Sequence, residues 1–113
     1  MGDHLPSELI YGTIRFPVLR PTPDDAPTGP GGPVCGQYDG NNLRLIVRTG
    51  LAPAQAWATF FHEVAHHSLE KAGDARQENA EGLCDWFGWA VVDLLAQNAG
   101  LQHSLLEDMA GAI

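Results

Sequence analysis

The apolar positions of this chain fall into two regimes, extended in the first half and helical in the second. Residues 8–20 carry Ile10, Thr13, Ile14, Phe16, Val18 and Leu19, a β-branched and aromatic run that predicts one strand. Pro17 inside it belongs at an edge or bulge, because it has no N–H to give to a ladder. Residues 20–33 show no period; they hold prolines, glycines, Asp24 and Asp25, and read as a mobile surface loop, either a flap or plain disorder. From Val34 to Thr49 a hairpin is predicted about Asp39-Gly40-Asn41-Asn42, with Leu43 to Arg48 as its second arm. That arm is expected to have one solvated face, carrying Arg44 and Arg48, and one buried face.

After Gly50 the spacing becomes helical. Pro53 suits a first helical turn, and Trp57, Phe60, Phe61 and Val64 make a stripe at spacings of three and four, to about Ala72. Gly73 fits the left-handed position after a helix, and Asp74 with Gln77 makes a capping box for the next one. This second helix carries Leu83, Phe87, Val91, Leu94 and Leu95, and ends near Gly100; a short helix from about Ser104 to Ala110 follows. The expected fold class is α+β: a single domain over 1–113, with a small antiparallel sheet packed on an antiparallel helical hairpin. Gly82 and Gly88 are expected to let elements approach closely.

The chemistry sits in the middle of the first helix, where Phe60-Phe61-His62-Glu63-Val64-Ala65-His66-His67 reads H-E-x-x-H. Histidines four residues apart share a helical face and can reach one metal ion; Glu63 beside them suits a general base for an attacking water. His67 lies about 100° away and is expected at the surface or at a subsite. In an antiparallel hairpin turning at Gly73-Asp74, His66 is level with Glu81 and His62 with Asp85, each pair at equal height from the turn. Zn2+ held by His62, His66 and Glu81 with an open position is the ligand set of a catalytic site. Asp85 can then orient the His62 ring through its other nitrogen. Glu78, level with Leu69 and nearer the turn, is the alternative third ligand.

Charge narrows the partners. A formal net charge of −8 with six scattered Lys and Arg excludes ordinary phosphate-backbone binding, so no nucleic acid is expected. No apolar run approaches membrane length, and the first residues lack the basic and apolar regions of a secretory signal. Cys35 and Cys84 lie in dissimilar settings and demand no disulfide, which suits a cytoplasmic location.

Taken in order, Gly36-Gln37-Tyr38-Asp39, Leu43 to Val47, Thr59 to His66 and Glu81 to Gly88 resemble the ImmA/IrrE group of gluzincin metallopeptidases, which show G-x-Y-D, a strand, T-L-A-H-E-L-G-H and later E-x-x-A-[ND]-x-F-A. The likeness covers roughly residues 35–96. It implies a zincin-like core, zinc on His62, His66 and Glu81, Glu63 as catalytic base, and a cytoplasmic endopeptidase acting on a peptide or protein. The chain departs from the pattern at Ala65, Cys84 and Gly88, and the His66–Glu81 spacing is short. A metzincin is excluded, because Leu69 and Ala72 stand where that motif demands Gly and His. Two other readings use the same residues: a zinc-holding regulatory module that cleaves nothing, and a self-inhibited enzyme whose metal is covered by the Pro/Gly loop, a tail or Cys35. Pro33-Val34-Cys35-Gly36 resembles in part the cysteine switch of matrix metalloproteinases, and a thiolate is a good zinc ligand.

Overall fold

The computed structural model describes residues 2–71 and 77–111, the last of these and 77–79 by backbone alone. It is an α+β fold of a small mixed sheet and three helices. The order is β1 (Glu8–Tyr11), β2 (Ile14–Leu19), β3 (Thr28–Gly29), β4 (Gly32–Pro33), β5 (Gly36–Asp39), β6 (Arg44–Val47), α1 (Pro53–Lys71), α2 (Gln77–Gln97) and α3 (Leu101–Gly111).

The single strand expected over residues 8–20 is instead a hairpin. Gly12 takes a left-handed conformation, φ 64°, and reverses the chain between Tyr11 and Ile14. The main sheet runs β1-β2-β6-β5. It is not wholly antiparallel, because β2 pairs with β6 in parallel through Val18 and Leu19. Pro17 therefore lies inside the sheet rather than at its edge. It is tolerated because it sits where β2 hands over from β1, opposite Glu8, to β6, which begins pairing at Val18. The hairpin about residues 39–42 forms as expected, with Tyr38 opposite Leu45 and Asp39 opposite Arg44. As an inner strand, β6 has Leu45, Ile46 and Val47 all buried, so neither of its faces is solvated.

Phe16 and Val18 from β2, Leu45 and Val47 from β6, and Ala56 and Phe60 from α1 make the core. Trp57, Phe61 and Val64 lie half-buried against it. The N-terminal segment is tied down by Arg20, which donates to both Asp3 carboxylate oxygens at 2.6 Å and to the Val47 carbonyl at 2.6 Å. That pairing holds the Asp3 carboxyl below the usual carboxylate range.

Helices α1 and α2 pack antiparallel, with Ala58 against Gly88, His62 beside Asp85 and His66 beside Glu81. Ala80, Cys84 and Gly88, four apart and small, form the seam. A Cβ on Gly88 would overlap the Ala58 carbonyl, whereas one on Gly82 would meet open space, so only Gly88 serves close approach. The turn itself, with Gly73 and the proposed cap at Asp74, lies outside the described residues.

The seam leaves the large apolar residues of α2 facing outwards. Leu83, Phe87, Leu94 and Leu95 are exposed, as are Trp86 and Trp89. Helix α3 begins three residues earlier than expected, and Leu101 to Ala110 are exposed along its whole length. No described helix is long and apolar enough to cross a membrane.

Candidate metal centre

Helix α1 lies between the sheet and α2, so its faces have distinct tasks. Phe60, Glu63 and His67, spaced three and four apart, are buried on the sheet side. His62 and His66 point towards α2. Their Nε2 atoms are 3.2 Å apart, with tilted rings at 5.0 Å. Two ligand nitrogens at 2.0–2.1 Å from one tetrahedral zinc would be separated by about 3.3 Å, so the imidazoles already have the bite of a chelate.

The Glu81 carboxylate closes the arrangement from α2. One oxygen lies 2.5 Å from His66 Nε2 and the other 3.4 Å from His62 Nε2. Asp85 points at the other His62 nitrogen, but at 3.8 Å it stands beyond hydrogen-bond range. The structure thus brings together four of the expected residues and directs Asp85 at the fifth contact without closing it. The Glu78 side chain lies outside the described residues.

Glu63 also falls within the cluster: donor atoms of His62, Glu63 and His66 all lie within 4.8 Å of one another. Two carboxylates therefore flank the histidines, and their environments differ. Glu81 is largely exposed and touches both imidazoles; Glu63 is only 6% exposed and accepts the Tyr38 backbone N–H. Burial, with the nearby Glu81 charge second, pushes the Glu63 carboxyl up to about 8. Glu81 thus reaches both imidazoles from the solvent side, while Glu63 stands beside them out of water.

In the metal-free protein this has a consequence for stability. Glu63 is protonated in both folded and unfolded chains below about pH 4.5, so it carries no penalty there. Between 4.5 and 8 the unfolded chain ionises first and stability falls as pH rises, by on the order of 2–4 kcal/mol in all. Melting of metal-free protein across pH 5–8 should show this fall, and Glu63→Gln should flatten it.

The sheet fixes Glu63 more tightly than its own helix does. A Cβ on Gly36 would lie 2.5 Å from Thr59 Cγ2, 2.7 Å from the Ile46 carbonyl oxygen and 3.2 Å from Glu63 Oε2, so β5 passes the carboxylate at a distance only glycine permits. The Arg48 N–H bonds the Cys35 carbonyl, and the Tyr38 N–H goes to Glu63. By the alternation of an antiparallel edge strand, the backbone groups of Gly36 then face the cleft.

Residues 20–33 are not featureless. Thr28–Gly29 and Gly32–Pro33 pair as a small ribbon around Pro30-Gly31, and the ribbon walls a groove of about 460 Å³ that also takes in Cys35, His62, Glu63 and Trp89. A second groove, of about 490 Å³, opens on the other side of the histidines, between the residue 38–41 turn and α1. Both cysteines are free. Cys84 is buried behind the acidic pair, and burial pushes its thiol up to about 11.

His67 is neither a surface nor a subsite residue. It is 6% exposed, packed edge-on to Tyr11 and Phe16, and its Nδ1 lies 3.0 Å from the Tyr38 hydroxyl. Burial, with Lys71 second, lowers its pKa and keeps it neutral. Its spacing from Phe60 and Glu63 carried that signal. The 100° step from His66 leads into the sheet rather than into water.

No family model, curated protein or solved structure matches the chain.

Proposed function

We propose that this protein is a zinc-dependent metallopeptidase of the gluzincin kind, related in its site to the ImmA/IrrE group. The observation that supports this best is the convergence of His62, His66 and Glu81 at chelating separations, with the buried Glu63 carboxylate beside them. A zinc ion on those three side chains would supply Lewis acidity and bring the pKa of water near 7. Glu63 takes the proton of the attacking water and returns it to the leaving amine, from a position beside both histidines. A peptide laid along the β5 edge would meet the Gly36 backbone groups as an added strand. The two free cysteines suit work in the cytoplasm.

Metal analysis of purified protein, with peptide digests in the presence and absence of chelator, tests the reading. About one zinc per chain, lost in Glu81→Ala, and chelator-sensitive cleavage are expected. Zinc without cleavage would favour a regulatory zinc module; absence of bound zinc would remove the metal centre altogether. Cys35 in the same groove as His62 favours one variant of the enzyme reading, latency through its thiol. Activity appearing only after thiol alkylation would establish that form.

A further inference from the structure

The groove between the 38–41 turn and α1 begins at His66 and Glu81 and ends at Glu70. Glu70 lies one helical turn beyond His66, about 6 Å along the axis, roughly the reach of a lysine's four-carbon stem. Its carboxylate lies against the backbone of the 38–41 turn. Both oxygens and the Tyr38 hydroxyl lie 3.1–3.2 Å from the point a Cβ on Gly40 would occupy, which sets the carboxylate beside the phenol. Tyr38 in turn rests on the buried His67. The Tyr38 hydroxyl lies 3.0 Å from His67 Nδ1, so the phenol is fixed from behind by a buried ring while its oxygen stays beside the Glu70 carboxylate.

The other acids of the groove are engaged elsewhere. Asp39 faces Asn42 and Arg44, and Glu81 faces the histidines. No Lys or Arg lines the groove among the described residues, and its remaining polar side chains are Gln37 and Asn41. An oriented carboxylate at the end of a polar slot selects for a cation. We propose that this groove is a subsite for a lysine or arginine side chain next to the scissile bond, with Glu70 as its ionic partner. The proposal rests on the peptidase reading above and adds the substrate class.

The test uses matched peptides carrying Lys, its neutral isostere norleucine, or Glu at each position flanking the cleaved bond. The native protein should cleave the Lys peptide with kcat/KM about tenfold above the norleucine one, and less so at high salt. In Glu70→Gln that ratio should fall to within about twofold of one, and in Glu70→Lys the Glu peptide should become the preferred one. Fluorescence anisotropy of the same labelled peptides on Glu63→Gln should give the same order without turnover. Cleavage with equal rates for Lys and norleucine, or a Lys preference surviving Glu70→Gln, overturns the subsite and leaves the peptidase reading standing. Tenfold tighter binding of the Lys peptide with no cleavage by the native protein keeps the subsite and removes the peptidase; neither binding nor cleavage removes both.

Discussion

Glu63→Gln is expected to keep about one zinc per chain while lowering peptide hydrolysis by about 10²–10⁴-fold, the usual worth of a positioned general base. Glutamine preserves the shape of the side chain and can still accept the Tyr38 N–H, so the β5 contact survives. It cannot take a proton from water at neutral pH. The same change removes a buried carboxyl whose ionisation opposes folding above about pH 4.5, so the metal-free variant should melt higher than the native protein at pH 8. A variant that is more stable, still zinc-loaded and catalytically dead is the signature of a base held under strain. Persistent cleavage at native rates would sink the role given to Glu63, and loss of zinc would make it a ligand instead.

The second large effect is expected at the helix seam. Gly88→Ala places a methyl group into the Ala58 carbonyl, where only backbone lies, and α2 must move. The gain in helix propensity, up to about 1 kcal/mol, is outweighed by overpacking of ~1–3 kcal/mol where no flexible side chain can yield. Because Glu81 and Asp85 ride on α2, the shift should also weaken zinc binding, which a competitive chelator titration reads directly. Gly82→Ala is the control. Its Cβ meets open space, so helix propensity acts alone and the melting temperature should rise. Equal effects at the two glycines would contradict the packing described for the seam.

Those two glycines also show what the amino-acid order carries and what it does not. Both looked alike from spacing, since each lies in a helix rich in small residues, and only the direction of α2 separates them. The His62, Glu63, His66 and Glu81 arrangement was legible because it depends on rise per residue and on antiparallel packing of the two helices, quantities that hold for any such pair. Residues 8–20 form two strands rather than one because Gly12 turns the chain inside a run of good strand formers, a single-residue signal against a strong background. The parallel join of β2 to β6 has no local signal at all; it depends on a crossover spanning residues 20–43. The burial of His67 follows from its position on the Phe60 face rather than from its polarity, because a neutral imidazole finds the Tyr38 hydroxyl there.

The contact of Gly36 with Thr59, Ile46 and Glu63 ties the hairpin to the candidate site. A carboxyl kept from water by a strand passing over it will report any disturbance of that strand. Loosening the turn at Asp39-Gly40-Asn41-Asn42, even with every helix intact, would let water reach Glu63 and bring its carboxyl back towards ordinary acidity. Changes more than a dozen residues away along the chain would then register first as a shifted Glu63 titration, well before any loss of folded protein.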